Sequence, residues 1–313
     1  MTDPAAPSSR PLYAASGPGG SIYDLGYQGY DGPRLGHRSA AAALFRHTLR
    51  SAFGLGRSAR SKIAPMGLAG LAIFPALIGV GIAALMAQAG RTLPEDASPV
   101  RYETYMGLAA TLLMLFCAAQ APELFGRDQR YAVLPLYFSR VLTRADYAVA
   151  RIAGLLAALL IVDLAPQVIL FAGRVFVATD PLSGIATEAG VVPRFVLQGI
   201  LVAGLLGGIA GLIAAYTPRR LYATAAIIAV FIVPPIVIAL IQSLAGDDLA
   251  RILILLSPGD ILSGTNAAIF GSLPDSPAVA ALDLPGYAYI AAALIGTVGS
   301  IALTVRRYLR IPA

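Results

Sequence analysis

The chain has 313 residues, of which 57% are hydrophobic and 13% are charged, and its formal net charge at pH 7 is +6. About a quarter of the residues in a soluble domain are charged, and a mean hydropathy of +0.73 over the whole length is typical of a chain with many segments in lipid. This composition excludes a water-soluble domain. It predicts an all-α, polytopic membrane protein, because a helix satisfies its own backbone hydrogen bonds in lipid.

The amino-terminal region divides into two parts. Residues 1–38 are rich in Pro, Gly, Ser and Tyr, which predicts a flexible cytoplasmic tail. Residues 39–62 have a helical pattern and are predicted to form an amphipathic interfacial helix whose arginines meet anionic lipid headgroups. Its apolar face would carry Leu44, Phe45, Leu49 and Phe53, and its opposite face Arg46, Arg50 and Arg57. The alternative is an ordinary basic linker beside the first span.

Six apolar runs are long enough to cross a bilayer, which takes about 20 residues in a helix. They lie near 66–87, 104–121, 152–173, 195–216, 221–244 and 287–305. Residues 63–313 are therefore predicted to form a domain of six transmembrane helices. The first run begins after residue 65, too late for a cleaved signal peptide.

The basic residues predict the orientation of these spans. Eighteen of the 23 lysines and arginines fall in the tail, the segments 122–151 and 217–220, and the carboxyl terminus. The other set of segments holds only Arg91, Arg101, Arg174, Arg194 and Arg251. Because cytoplasmic segments carry the excess of Lys and Arg, both termini are predicted to be cytoplasmic.

The segment between the second and third spans is a long polar stretch with an apolar run on each side. It reads "APELFGRDQRYAVLPLYFSRVLTRADY" over residues 121–147. We predict that it is a contact surface for a partner protein, with charges that fix the register and apolar or aromatic anchors that supply binding energy. The charges are Glu123, Arg127, Asp128 and Arg130, and the anchors are Tyr131, Leu134, Tyr137 and Phe138. The alternative is a solvated basic loop, which explains the arginines but not the acids and the aromatic cluster.

One aspartate lies in the middle of a predicted span. Asp163 is followed by Pro166 and, one helical turn on, by Gln167, so Asp163 and Gln167 share a face. A charge at this depth costs about 2.5–3.5 kcal/mol, so it should face protein or water and not lipid. The residues permit a proton or cation site, or a structural aspartate that holds the proline kink.

The fourth span contains four closely spaced glycines, which allow another helix to approach closely. They are Gly204, Gly207, Gly208 and Gly211. Packing within one subunit and a dimer face are both open interpretations.

A short apolar run precedes the last span. Residues 249–256, "LARILILL", are too few to cross the membrane and end at Ser257-Pro258-Gly259. We predict a non-spanning outer helix, re-entrant or interfacial, followed by a loop rich in Gly, Pro and Asp that caps or gates the outer side.

No catalytic or metal-binding motif is found in the sequence. A phosphate-binding loop needs Gly-x-x-x-x-Gly-Lys-Ser/Thr, and Lys62 stands between Ser61 and Ile63. The motifs His-Glu-x-x-His and Gly-x-Ser-x-Gly are absent, and Cys117 is the single cysteine. We therefore expect no catalytic residue, no metal and no cofactor in this chain, and no nucleic-acid partner.

The order of these elements, together with the segment "APELFGRDQRYAVLPLYFSRVLTRADYAVAR", resembles the ABC-2 type permeases of ATP-binding-cassette exporters. The similar features are an acid, Arg-Asp, a small turn, Leu-Pro-Leu, Ser-Arg and Arg-x-x-Tyr, and the resemblance covers residues 40–310. It implies a bacterial cell-membrane permease that works as a homodimer or heterodimer. Its loop between the second and third spans would dock on a separate ATPase subunit, which binds ATP and Mg²⁺.

The exported compound would be hydrophobic or amphipathic, such as a drug, a metabolite or a lipid. Two other classes of function remain open from the residues alone. One is an ion-coupled secondary transporter that uses Asp163, and the other is a membrane scaffold or sensor organised around the tail.

Overall fold

The computed structural model describes Gly32 and residues 36–90, 100–139, 142–178 and 180–311. All regular elements in these ranges are helices, and the described part contains no strand. The predicted tail lies outside the described residues, apart from Gly32 and the first three residues of the first helix. The helices are α1 Gly36–Ala52, α2 Arg60–Gln88, α3 Tyr102–Ala121, α4 Arg127–Arg130, α5 Leu134–Phe138, α6 Arg144–Val177, α7 Pro181–Glu188, α8 Val192–Tyr216, α9 Arg220–Ala245, α10 Asp247–Leu253, α11 Pro258–Phe270, α12 Pro277–Leu282 and α13 Gly286–Leu309.

Six helical segments in the described ranges are long and apolar enough to cross a membrane, which confirms the predicted six-span fold. They are Arg60–Gln88, Tyr102–Arg130, Arg144–Val177, Pro181–Tyr216, Arg220–Ala245 and Gly286–Leu309. Several extend well beyond the apolar runs of the sequence, because helical geometry continues into the polar flanks. The protein is a polytopic α-helical membrane protein.

Three of the spans form the centre of the bundle. In the most apolar windows of α8, α3 and α6, 67%, 56% and 44% of the residues are buried, against 17% in α2 and in α9 and 22% in α13. The main core contains Leu113 and Phe116 of α3, Leu155 and Leu159 of α6, and Leu205 of α8. The faces of α2, α9 and α13 are therefore the ones left for lipid or for another chain.

The four glycines of α8 contact neighbouring helices of the same chain. A Cβ on Gly207 would lie 2.6 Å from Cδ2 of Leu156 in α6, and one on Gly204 would lie 2.8 Å from Cγ2 of Thr297 in α13. Gly208 faces Ser300 of α13, and Gly211 faces the ring of Phe125. Of the two interpretations of this motif, packing within one subunit accounts for all four positions.

The amino-terminal helix is shorter than the predicted 39–62. It ends at Ala52 because Gly54 and Gly56 adopt positive φ angles of 69° and 84°, a region that favours glycine. The apolar face of α1 packs on protein: Leu44 is buried, and the ring of Phe53 lies 5.9 Å from that of Phe116. Arg46 and Arg50 are exposed on the other side.

The segment before the last span enters the bundle as a bent helix pair. Residues Asp247–Leu256 and Pro258–Phe270 meet at 92°, the geometry of a broken span or a re-entrant loop. A Cβ on Gly259 would lie 3.5 Å from Pro235 and 3.7 Å from Met114, which places the first turn of α11 level with the middle of α9 and α3.

The loop predicted after residue 256 is wrong in part, since residues 258–270 are helical. Ser257 accepts a hydrogen bond from the backbone N–H of Asp260, Pro258 occupies the first helical position, and Gly271 ends the helix in the left-handed region. These capping residues stabilise α11. The helix contains several polar residues, so the sequence shows no hydrophobic run there.

Candidate functional site

Residues 122–138, which we call the platform, connect α3 to α6 at one end of the bundle. The chain leaves α3 through a π-helical turn, Pro122–Gly126, in which Leu124, Phe125 and Gly126 are buried. A Cβ on Gly126 would lie 3.2 Å from the carbonyl oxygen of Pro218, so the turn fits closely beneath the connection between α8 and α9. The short helices α4 and α5 follow. The predicted partner-binding segment is thus a folded element and not an extended loop.

A buried ion pair fixes α4 to the bundle. The carboxylate of Asp128 accepts hydrogen bonds from Arg151 of α6 and, at 2.7 Å, from the hydroxyl of Tyr147. Arg151 also donates to the hydroxyl of Thr48 in α1 at 3.4 Å, and only 4% of Arg151 is exposed. Because the guanidinium and carboxylate are both paired and further hydrogen-bonded, this arrangement joins three elements without leaving a buried charge alone. Asp128 is therefore engaged within the chain, not free for a partner.

Two more polar side chains tie the platform to other spans. Glu123 pairs with Arg57 at 3.2 Å and with Arg220, at the start of α9, at 2.7 Å. The side-chain amide of Gln129 donates to the carbonyl of Ala215 in α8 and to the hydroxyl of Tyr308 in α13, at 3.0 and 3.1 Å. Together with Asp128, they connect the platform to α6, α8, α9 and α13 and to the linker before α2.

The apolar and aromatic residues of α5 and of the turn before it fall into two groups. Leu134 is buried, and the rings of Tyr137 and Phe138 lie 5.4 and 5.9 Å from the ring of Tyr147 in α6. These three hold α5 in place. Tyr131 and Leu136, by contrast, are 66% and 68% exposed.

The surface left for a partner therefore differs from the predicted set. Arg127, Arg130, Tyr131 and Leu136 are exposed, whereas Glu123, Asp128 and Leu134 face the protein. Sequence reasoning missed Leu136. The signal was present in "LPLYF", since two leucines two positions apart on a helix point in different directions.

The third span begins at a side-chain cap. The hydroxyl of Thr143 accepts from the backbone N–H of Asp146 at 3.1 Å, and the Asp146 carboxylate accepts from the Thr143 backbone N–H. This capping box starts α6 immediately after the platform.

The intramembrane polar residues form a second cluster, between α3, α6 and α8. Asp163 and Gln167 are fully buried, and Gln167 donates to Asp163 at 3.3 Å and to Gln198 of α8 at 2.9 Å. Tyr105 lies close enough to Asp163 to interact electrostatically. Among the described residues, Oδ1 of Asp163, Oε1 of Gln167 and the hydroxyl of Tyr105 have no hydrogen-bond partner. Sequence reasoning found the first two residues but missed Gln198 and Tyr105.

A large cavity opens between α1 and the platform. Its volume is about 970 Å³, and its basic lining residues are Arg46, His47, Arg50, Arg57, Arg127 and Arg151. Burial, followed by the nearby Arg151 guanidinium, lowers the pKa of His47 below its ordinary value of 6.5. This lowering favours the neutral form of His47, so the positive charge of the cavity comes from its arginines.

No protein-family model matches the chain, and no curated protein matches it in sequence. In the described ranges, no group of three or more His, Cys, Asp or Glu residues could hold a metal ion.

Proposed function

We propose that this chain is the transmembrane permease subunit of an ABC exporter, with both termini in the cytoplasm of a bacterial cell. The observation that carries the proposal is the platform, a small helical element that is bound to most of the spans and still exposes a basic and apolar surface. A coupling element needs both properties, because it must bind a partner and move the helices it is attached to. In this proposal ATP and Mg²⁺ are bound by the partner ATPase.

The contacts of the platform indicate how motion would pass into the membrane. A displacement of α4 would act on α6 through Asp128 and Arg151 and on α8 and α13 through Gln129. Glu123 would carry it to α9 through Arg220. Nucleotide binding in the partner would then favour one arrangement of the spans over another, which is a population shift and not catalysis in this chain.

The exported compound is proposed to be hydrophobic or amphipathic. An apolar groove of about 770 Å³ lies between α2, α3 and α9, with Leu71, Leu115 and Ile228 among its lining residues. Its flanking helices α2 and α9 are among the least buried spans. A second permease copy along these helices would enclose the groove as part of a pathway.

The test of the platform compares exposed residues at opposite ends of the bundle. The chain is co-expressed with a candidate P-loop ATPase, and the double variant Tyr131→Ala/Leu136→Ala is compared with Leu182→Ala, which changes a similarly exposed leucine on α7. We expect the double variant to reduce co-purification and substrate-stimulated ATP hydrolysis at least about tenfold, because truncating a buried interface anchor costs about 2 kcal/mol. The control should assemble normally. Normal assembly and coupling of the double variant would remove the platform from the interface.

A second candidate is an ion-coupled carrier, favoured by the three unpartnered oxygens around Asp163. Transport into proteoliposomes distinguishes the ABC exporter from the ion-coupled carrier. An ABC exporter requires ATP and is insensitive to a protonophore, and Asp163→Asn should retain transport because an amide keeps most hydrogen bonds. Transport that needs an ion gradient and is lost in Asp163→Asn would establish the carrier instead.

A further inference from the structure

The cavity between α1 and the platform has an excess of positive charge. Five arginines line it, Arg46, Arg50, Arg57, Arg127 and Arg151, and the only acids in its lining are Glu123 and Asp128. Both acids are already paired, Glu123 with Arg57 and Asp128 with Arg151. Arg46, Arg50 and Arg127 are exposed to the cavity and form no ion pair with an acid in the described ranges.

This charge is held on a rigid frame. Arg46 and Arg50 lie one turn apart on α1, which is fixed to α6 where Gly154 approaches Thr48 so closely that a Cβ would lie 2.6 Å away. Arg127 lies on α4, beside Asp128, whose side chain is paired with Arg151. Three guanidinium groups thus face one space from two sides, an arrangement suited to a phosphate group, whose oxygens accept bidentate hydrogen bonds from arginine.

The surroundings of the cavity favour a lipid as the source of the phosphate. Leu55 lies in its lining and is 38% exposed, and the first turns of α2 expose Ile63 and Met66. An apolar chain could lie along α2 while its headgroup occupies the cavity. Basic pockets beside the cytoplasmic ends of transmembrane helices attract anionic lipid headgroups.

We propose that the cavity between α1 and the platform binds the phosphate group of an anionic phospholipid, with Arg46, Arg50 and Arg127 as its ligands. The lining of this cavity includes Tyr131 but not Leu136, the two residues on which ATPase docking is proposed. Lipid binding is measured on the purified chain without an ATPase, so loss of the lipid site and loss of the ATPase interface are distinguishable.

The first experiment measures binding of phosphatidylglycerol to the purified full chain in nanodiscs of phosphatidylcholine. The triple variant Arg46→Gln/Arg50→Gln/Arg127→Gln is compared with Arg219→Gln/Arg306→Gln/Arg310→Gln, which removes the same charge from exposed arginines outside the cavity lining. We expect the cavity variant to bind at least about tenfold more weakly, since it removes the three guanidinium groups that donate hydrogen bonds to the phosphate oxygens. The control should change the affinity less than about twofold. Equal losses of affinity in the two triple variants would show that the cavity is not the lipid-binding site.

A second readout reports on the cavity without depending on the stability of the variants. The chain has two histidines, so in His37→Asn the imidazole signal in an NMR spectrum belongs to His47 alone. An anion bound beside His47 favours its protonated form, so phosphatidylglycerol should raise the pKa of His47 relative to phosphatidylcholine. An unchanged His47 titration would contradict binding in this cavity.

The same titration identifies the source of the phosphate. If inorganic phosphate raises the His47 pKa and phosphatidylglycerol does not, the site binds free phosphate and the lipid proposal is wrong. If neither inorganic phosphate nor phosphatidylglycerol raises the His47 pKa, and the pKa rises only when the ATPase is added, the cavity binds an acidic segment of the ATPase. That result would also overturn the lipid proposal.

Discussion

At the scale of single residues, the Asp128–Arg151 pair is the most consequential contact of the platform. Their side chains are only 13% and 5% exposed, so removing one partner leaves a buried charge without compensation. Arg151→Gln should lower stability by about 3 kcal/mol or more, measured as thermal unfolding of the purified protein. The Glu123–Arg57 pair, whose side chains are both 21% exposed, is the matched control, because Arg57→Gln should cost less than about 1 kcal/mol.

The double variant Asp128→Asn/Arg151→Gln distinguishes the contribution of the ion pair to stability from the other contributions of Arg151. Because it leaves no unpaired charge, it should be more stable than the sum of the two single variants indicates. Strict additivity would mean that the ion pair does not stabilise the platform.

His47 makes the stability of the folded protein depend on pH, in a direction set by its lowered pKa. Burial and the nearby Arg151 guanidinium lower its pKa below 6.5, so the unfolded chain binds a proton at a higher pH than the folded chain does. The contribution of His47 to stability is therefore complete above pH 6.5 and is lost as the pH falls from 6.5 through the lowered pKa. The facing charges are Arg151, Asp128, Arg57 and Arg127, with Arg46, Arg50 and Glu123 in the same cavity lining.

Unfolding measured between pH 7.5 and about pH 5 in the parent and in His47→Gln tests this sign. In the variant, the free energy of unfolding should fall less steeply with decreasing pH below 6.5, because the contribution of His47 is absent. Identical pH profiles would show that His47 has the same proton affinity in the folded and unfolded states.

At the scale of elements, the contact between α1 and α6 depends on one glycine. A Cβ at Gly154 would lie 2.6 Å from both Cβ and Cγ2 of Thr48, so Gly154→Ala must push the two helices apart. Overpacking of this kind costs about 1–3 kcal/mol. We expect faster proteolysis of the 53–59 linker, because α1 loses its packing on α6. Gly81→Ala in α2 is the control: with nothing within 4 Å of its Cβ position, it should be neutral or slightly stabilising.

The elements that could be predicted from the sequence are those governed by hydropathy. The six spans are long apolar runs, and their identification needs no knowledge of neighbours. By contrast, α11 carries Asp260, Ser263 and Asn266, all buried, and is recognisable mainly by its caps, Ser257 and Gly271. The extent of α1 depended on the backbone conformation of Gly54 and Gly56, whose positive φ angles are not evident from the residue pattern alone.

The inner and outer faces of the platform could not be assigned from the sequence either. Its acids were recognised as paired charges, but their partners are distant in the chain: Arg57 is 66 residues before Glu123, and Arg151 is 23 residues after Asp128. Only the folded bundle decides that Glu123 and Asp128 point inward while Arg127 and Arg130 point outward.

At the scale of the whole molecule, the proposed orientation is testable by labelling. The native Cys117 is fully buried, so single cysteines introduced elsewhere should react against a low background. Leu136 lies on the platform, and Leu182 and Leu273, both highly exposed, lie at the opposite end of the bundle. A membrane-impermeant maleimide should label Leu182→Cys and Leu273→Cys in intact cells and Leu136→Cys only in inverted vesicles. The reverse pattern would place the termini outside.

The contacts of the platform also have a consequence for the order of synthesis. Its backbone emerges with the second span, yet Asp128 must wait for Arg151 of the third span, Glu123 for Arg220 of the fifth, and Gln129 for Tyr308 of the sixth. A growing chain therefore has no finished platform until its last span has been inserted. An ATPase that recognises the finished platform would not bind nascent or truncated permeases, and assembly would begin only after membrane insertion is complete.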